Sequence, residues 1–584
     1  MSHPAEKLAR AILAALIGAG VKDVVYCPGS RSAPFAYALD AACRAGHLRA
    51  HVRLDERSAA FLALGLSKAG RSEEDGAESE PALSTLRPCL RPAPVAIITT
   101  SGGAVAELHA GVAEAKHSRL PLLVISADRP AEMRGVGASQ TTSQPGIFSS
   151  HALEVLDLPA ETASDQSLNA RVRRLLAHAE GIPTGTPGPV QLNVAFREPL
   201  TPEGGSITPV PFLLEGESTK VLRAPTPRVE WKEAVREGMR TLILAGDGAD
   251  PDASIWASRA ALPILAEPSS GLAWDENAIP YQQSLLSGPL ARSVEQVIVT
   301  GRPTLSRSVS MLLARTDLRL VVIDPSPEWT DVSGNAALVA PGLSAPCEPV
   351  SCDQGSWLEE WREAALEAGE KITRLVEDEP LSVLGIAHTV MAKDTRTLLL
   401  GASNSVRAVD LVGRAGAKRL VVANRGLAGI DGTLATGIGL ALARGEAVTI
   451  LLGDLAFCHD AGALAIPAEE KTPDLLIIVA DDSGGGIFAG LEHGLKENAP
   501  TFERWFATAQ PTSIRELAAA YGADYREAHT RAELSELIGE EGKGIRILRV
   551  PCSRPSALAA VKAVCRRGEG SRPMRAEMRP IAEE

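Results

Sequence analysis

Two stretches constrain the fold of this chain more tightly than any other feature of its sequence. Residues 94–128 read PVAIITTSGGAVAELHAGVAEAKHSRLPLLVISAD, and residues 447–481 read AVTILLGDLAFCHDAGALAIPAEEKTPDLLIIVAD. Each is an apolar run, a glycine turn, a helical stretch and a second apolar run. A strand that is apolar along its whole length is buried on both faces, the situation of a strand in a parallel sheet covered by helices. Parallel neighbours need a crossover, and a right-handed helical one is the usual solution. The pair is either a remote duplication or two generic βαβ units.

The same alternation runs through the rest of the chain. Residues 5–17 have helical spacing, with apolar positions at Leu8, Ile12, Leu13 and Leu16. Asp23–Cys27 reads as a short strand ahead of the turn Pro28-Gly29-Ser30, and residues 56–69 as an Ala- and Leu-rich helix. A second block has strands near 240–246, 263–266, 295–300 and 318–324. Residues 365–390 turn helical and charged, and a third block begins near 395. At roughly 150 residues per domain, 584 residues predict three or four domains. The expected fold class is α/β, with three doubly wound parallel-sheet domains at 1–200, 201–375 and 376–566. Residues 71–92 carry five acids within their first ten positions and read as an exposed insertion in the first domain. Residues 201–230, rich in Pro, Gly, Ser and Thr, read as a linker. The charged tail 567–584 has no apolar period and is expected to be disordered.

Composition narrows the function classes. Lys and Arg number 59 against 72 Asp and Glu, a formal charge of −13, which disfavours nucleic acid or an anionic membrane as a partner. No stretch approaches the roughly 20 apolar residues that span a bilayer. The N-terminal apolar run follows Glu6 and reads as an amphipathic helix, not a signal peptide. The eight cysteines are scattered without a CxxC pair, so neither a zinc ribbon nor a disulfide framework is indicated. A reducing cytoplasm is the expected setting.

The third block carries the sharpest chemistry. Gly453-Asp454 ends one apolar run, and Asp481-Asp482-Ser483-Gly484-Gly485-Gly486 ends the next. In a right-handed βαβ unit both ends lie at the same carboxyl edge, where open α/β sheets bind ligands. Two carboxylates beside glycine-freed backbone suit a hard cation such as Mg²⁺, which commonly bridges to phosphates. Taken alone, the same residues also suit a plain tight turn.

GD followed by a strand-end Asp and glycines resembles the diphosphate-binding motif of thiamine-diphosphate enzymes. Their usual form is GDG with Asn-Asn at the far end; here Leu455 and Asp481-Asp482 stand in those places. GDL is similar to one branch, the 2-succinyl-5-enolpyruvyl-6-hydroxy-3-cyclohexene-1-carboxylate synthases. Further segments resemble that branch in order along the chain: PGSRSAPF (28–35), LDERSAAFLALGLSKA (54–69), SADRP (126–130), GASQTTSQPGIF (137–148), GASNSVRAVDL (401–411), NRGLAGIDGTLATGIGLALA (424–443) and GGGIF (484–488). The chain departs from it at TSGGAVAE, where TSGTAVAN is usual, so Gly103 and Glu107 differ, and in the acidic insertion.

The resemblance implies a thiamine-diphosphate-dependent transferase of menaquinone biosynthesis. Its reaction would decarboxylate 2-oxoglutarate and add the resulting succinyl-semialdehyde carbanion to isochorismate in a Stetter-like 1,4-addition, releasing CO₂. It implies Asp454, Asp482 and the Gly484 carbonyl as ligands of Mg²⁺ or Mn²⁺. Glu56 would hydrogen-bond the cofactor pyrimidine, favouring the imino tautomer that activates the thiazolium. Ser403, Ile430, Gly453, Leu455, Ile487 and Phe488 would line the cofactor. Ser30, Arg31, Arg129, Gln140, Arg307, Arg407 and Arg425 would bind the two dianionic substrates, because arginine pairs carboxylates bidentately and keeps its charge. Arg307 is the loosest of these matches. The family's sites lie between subunits, which implies a homodimer or homotetramer. The middle domain has no GxGxxG, so FAD or NAD binding is not indicated. The rival readings are another 2-oxo-acid decarboxylase or carboligase on the same fold, and a non-catalytic relative.

Overall fold

Continuous apolar runs become central strands, and the helices between them cover both faces. The computed structural model describes residues 3–70, 91–164, 166–201, 219–347, 352–378, 381–414 and 416–554. Most of the acidic insertion, much of the expected linker and the tail lie outside the described residues. Among the described residues, no helix is long and apolar enough to cross a membrane.

Three parallel sheets organise the chain. The first has the order β2-β1-β3-β4-β6-β5, built from β1 (Asp23–Tyr26), β2 (Arg49–Val52), β3 (Val95–Thr99), β4 (Leu122–Asp128), β5 (Val155–Leu158) and β6 (Val190–Ala195). The middle sheet has the order β11-β10-β9-β7-β8, from β7 (Thr241–Ala245), β8 (Ile264–Ala266), β9 (Gln296–Thr300), β10 (Arg319–Ile323) and β11 (Ala336–Ala340). The third has the order β13-β12-β14-β15-β17-β16, from β12 (Thr397–Leu400), β13 (Val421–Ala423), β14 (Val448–Gly453), β15 (Leu475–Asp481), β16 (Asp524–Glu527) and β17 (Ile545–Pro551). The first and third sheets therefore repeat one topology. The two stretches that opened the sequence analysis are β3–β4 and β14–β15, the central pair in each.

The first and third sheets meet through two helices, Glu56–Lys68 and Thr433–Arg444. Both sequences are rich in small residues, ERSAAFLALGLSK and TLATGIGLALAR, so their backbones approach closely. A Cβ at Gly65 would fall on the Thr436 carbonyl, and one at Gly439 on the Leu62 carbonyl. The Thr436 hydroxyl donates to the Phe61 carbonyl at 3.3 Å. One apolar core runs through this crossing, joining Phe61, Leu62 and Leu66 to Leu434, Ile438 and Ile450. The middle sheet keeps cores of its own on its two faces.

Gly439→Ala tests the crossing. Alanine gains about 1 kcal/mol of helix propensity over glycine. Overpacking against backbone costs typically about 1–3 kcal/mol, and here the clash is with a carbonyl that cannot swing aside. A thermal unfolding midpoint below the parent's is expected. A rise would show that the helices have room.

Candidate active site

Each sheet presents its strand ends at one carboxyl edge, and the candidate residues gather there. In the first sheet β3 runs out into Thr99-Thr100-Ser101-Gly102. The Thr99 hydroxyl donates to Glu56 Oε1 at 3.2 Å. Glu56 opens its helix, and Asp55 caps it by accepting the Arg57 amide at 3.0 Å and the Ser58 hydroxyl at 2.5 Å. Burial raises the Glu56 carboxyl above its ordinary range, and the nearby charges of Asp55 and Glu107 add to this.

Ser101 ties two more candidates to this edge. Its hydroxyl accepts from Arg129 Nη1 at 2.5 Å and its carbonyl from Gln140 Nε2 at 3.0 Å. Gln140 has a φ of +54°, and Gly102, with a φ of +81°, has no room for a Cβ beside it. Arg31 donates to the Phe196 carbonyl at 3.0 Å, and burial and the like charge of Arg129 lower its pKa. Ser30 stands exposed at the mouth of this group.

The third sheet supplies the acidic part. β14 ends in Gly453-Asp454-Leu455 and β15 in Asp481-Asp482. The Asp454 carboxylate accepts the backbone amides of Leu455 and Gly484, which draws the two strand ends together. Gly486 has no room for a Cβ because Asp482 occupies that space. The two members of the aspartate doublet differ. Asp481 is committed to Arg549, at 2.6 Å, and to the Ser483 amide, at 3.1 Å. Asp454 and Asp482 have no ion-pair partner among the described residues, though both are buried. Burial, reinforced by neighbouring aspartates, pushes their carboxyls up to about 6 and about 7. A cavity of about 390 Å³ opens beside Asp454, with Ser483, Arg515 and Tyr525 on its wall. Among the described residues no three His, Cys, Asp or Glu side chains gather as a metal cage.

The basic part lies at the ends of β12 and β13. Ser403 has a φ of +79°, and its carbonyl accepts from Arg407 Nη1 at 2.7 Å. Arg425 is only 4% exposed. Its Nη2 donates to Thr304 Oγ1 at 3.1 Å, and its carbonyl accepts from Arg302 at 2.7 Å. Its Nε and Nη1 are buried without a partner among the described residues. A buried donor left unsatisfied is costly, which sets these two atoms apart from the other arginine nitrogens of the site. Ile430, Leu455 and Ile487 are half-buried nearby, and Phe488 is exposed with its ring against Phe506. Arg307 stands apart: it is exposed and meets Glu492 at 3.5 Å.

The contacts around Arg425 were not foreseen. Glu114, on the helix His109–His117, accepts the Gly426 amide at 2.8 Å and the Leu427 amide at 2.6 Å. Arg302 and Thr304 reach in from the middle sheet, beside the Arg307 that the sequence singled out. The one available signal was a lone acid in the apolar stretch GVAEA, where no solvated face is present.

Comparison with known proteins places both flanking units. The N-terminal TPP-binding domain of thiamine pyrophosphate enzymes matches residues 6–147, and the C-terminal TPP-binding domain matches residues 403–546. A 2-succinyl-5-enolpyruvyl-6-hydroxy-3-cyclohexene-1-carboxylate synthase of Kineococcus radiotolerans is 41% identical over 94% of this chain and 96% of its own length. Synthases of the same name from Renibacterium salmoninarum and Paenarthrobacter aurescens are 39% and 40% identical, over 94% and 95% of this chain and 94% and 95% of their own lengths.

The paired carboxyls make a prediction about pH. Unfolded aspartates titrate near about 4, whereas Asp454 and Asp482 titrate near about 6 and about 7 in the fold. The folded, metal-free protein therefore holds protons that the unfolded chain releases, and stability falls as pH rises through this window. A divalent cation takes the place of those protons. Mg²⁺ is expected to raise the unfolding midpoint more at pH 8 than at pH 5, and Asp454→Asn to remove most of that difference. Equal Mg²⁺ stabilisation at both pH values in the parent would contradict the assignment.

Proposed function

The chain belongs to the 2-succinyl-5-enolpyruvyl-6-hydroxy-3-cyclohexene-1-carboxylate synthases, a family of thiamine-diphosphate enzymes, and from that premise we propose how its own side chains carry the reaction. The reaction decarboxylates 2-oxoglutarate and joins the remaining four-carbon unit to isochorismate, a step of menaquinone biosynthesis. The observation that carries the reading is the coexistence of two unpaired buried carboxylates with a separate set of arginines at the strand ends.

Thiamine diphosphate, when bound, supplies the electron sink for losing CO₂ and for forming the new carbon–carbon bond. The residues present fit a hard divalent cation, Mg²⁺ or Mn²⁺. Asp454 and Asp482, with the Gly484 carbonyl, would hold it through oxygen, the donor type such a cation takes. Gly453, Leu455, Ser403, Ile430, Ile487 and Phe488 bound the space for the cofactor. Glu56, oriented by the Thr99 hydroxyl, would hydrogen-bond the cofactor's pyrimidine nitrogen and so favour the tautomer that activates it.

Both substrates are dianions, so four carboxylates need partners. Arg31, Arg129, Arg407 and Arg425 are the candidates, with Gln140 and Ser30 as neutral partners. Arg307 joins them only if its exposed side chain leaves Glu492. Arg425 is the best prepared, because its Nε and Nη1 are donors without a partner among the described residues, each able to meet a carboxylate oxygen. Excluding water matters, since protonation after CO₂ loss would release the four-carbon aldehyde unused.

The functional unit is at least a homodimer, with Glu56 from one subunit facing Asp454 of another. Exposed apolar side chains support this. Leu54, two residues from Glu56, is 78% exposed, and Leu427, two residues from Arg425, is 55% exposed. Trp505 and Leu495 stand out near the glycine turn at 65% and 50%.

Isochorismate consumption with 2-oxoglutarate, thiamine diphosphate and Mg²⁺, each omitted in turn, tests the activity. Only the complete mixture is expected to turn over, and Glu56→Gln to slow it by about 10²–10⁴-fold. CO₂ release without loss of isochorismate would favour a plain decarboxylase. Co-expressing Glu56→Gln with Asp454→Asn tests the shared site. If sites are shared, a mixed dimer keeps one site with both groups intact, and activity returns. Continued inactivity in an isolated mixed dimer would place both groups in one chain.

A further inference from the structure

Arg425 is gripped by a loop whose own anchor lies deeper in the middle unit. Glu267 follows β8 and is 1% exposed. Its Oε1 accepts the Leu305 amide at 2.7 Å. Leu305 belongs to the loop between β9 and the helix Arg307–Leu313. That loop lies directly on Gly246, where a Cβ would fall on the backbone of Arg302 and Pro303, and it turns at Gly301 with a φ of +66°. The Leu305 side chain is buried in the core of the third unit, among Val383, Leu384, Val406 and Val409. One residue is thus held by its amide from the middle unit and by its side chain from the third. Its neighbours Arg302 and Thr304 are the two residues that contact Arg425.

The geometry points to Glu267 as a positioning residue for the substrate pocket: by holding the Leu305 amide it sets the loop that fixes Arg425, whose Nε and Nη1 have no partner among the described residues. The inference rests on the reading of Arg425 as a substrate-binding group. A buried carboxyl is an expensive way to satisfy one amide, since an apolar core with a different loop would avoid its desolvation. Asp410 and Asp247 face Glu267 with like charge and Arg425 with opposite charge, and burial dominates, so its carboxyl is raised to about 8. Near neutral pH it is a protonated acid, for which glutamine is a close mimic that keeps the accepting oxygen.

The test compares steady-state kinetics of the parent, Glu267→Ala, Glu267→Gln, Arg425→Lys and the Glu267→Ala/Arg425→Lys double variant, with both substrates varied. Glu267→Ala is expected to raise KM for one acid substrate on the order of tenfold, with a smaller fall in kcat. Glu267→Gln is expected to stay within about twofold of the parent. The double variant should be no worse than Arg425→Lys alone, because both act through one group. Hydrogen exchange of the Leu305 amide should quicken in the alanine variant and stay slow in the glutamine one. Unchanged KM values in Glu267→Ala, a loss only in proportion to folded protein, or additive effects in the double variant would overturn the inference. A parent that consumes no isochorismate would overturn the functional reading and this inference with it. An active parent with insensitive variants overturns the inference alone.

Discussion

The close crossing of the helices Glu56–Lys68 and Thr433–Arg444 is the contact on which the rest of the molecule depends. Glycines at 65 and 439 bring backbone against backbone, so the relative placement of the first and third sheets has little freedom. The ends of these helices are where the chemistry starts. Glu56 is the first residue of one helix. Asp460, fully buried, accepts the Ala435 amide near the start of the other at 3.0 Å and meets Arg57 at 3.4 Å. Asn424, beside Arg425, donates to Thr436 in the crossing itself at 2.9 Å. A shift of either helix would disturb Glu56 and the Asn424-Arg425 segment together.

Around Arg425 all three units contribute. Glu114 comes from the first, Arg302 and Thr304 from the middle, and the arginine itself from the third. Taking a guanidinium out of water costs several kcal/mol unless its donors are met. Here one nitrogen and the local backbone are met from within the protein, and two nitrogens are not. The contacts from Arg302 and Thr304 show that the middle unit is more than a spacer. Glu114 accepts the Gly426 and Leu427 amides and Glu267 the Leu305 amide, on the two segments that meet at Arg425.

What the sequence revealed follows from how local each signal is. Apolar runs at 94–101, 120–127, 447–453 and 475–481 mark central strands because burial on both faces forbids polar residues. The edge strands β5, β11 and β16 alternate between exposed and half-buried positions and gave no comparable run. Motif residues such as Glu56, Asp454 and Asp482 were legible because turn glycines and strand ends accompany them. The doublet itself hid a distinction: Asp481 and Asp482 are adjacent in the chain, but only the structure shows Arg549 occupying the first. Glu114 and Glu267 were illegible because their partners lie 312 and 38 residues away and neither sits in a motif. The arginines were legible as a set, and the odd one, Arg307, points elsewhere while its neighbours at 302 and 304 do the gripping.

A chain with a formal charge of −13 that takes two dianions and a diphosphate is, by net charge alone, badly matched to its ligands. Screening settles the matter at long range, since beyond about 8 Å at physiological salt exposed charges largely cease to act. The local fields then decide, and the strand ends separate them. Asp454 and Asp482 form an acidic point that would repel phosphate until a divalent cation reversed its sign. The arginines need no such intermediary, because their charge does not depend on pH in the working range. Keeping the two kinds of site on different strand ends prevents the arginines from neutralising the aspartates. Arg549 illustrates the hazard: it pairs Asp481 at 2.6 Å, while its neighbour Asp482 has no ion pair among the described residues.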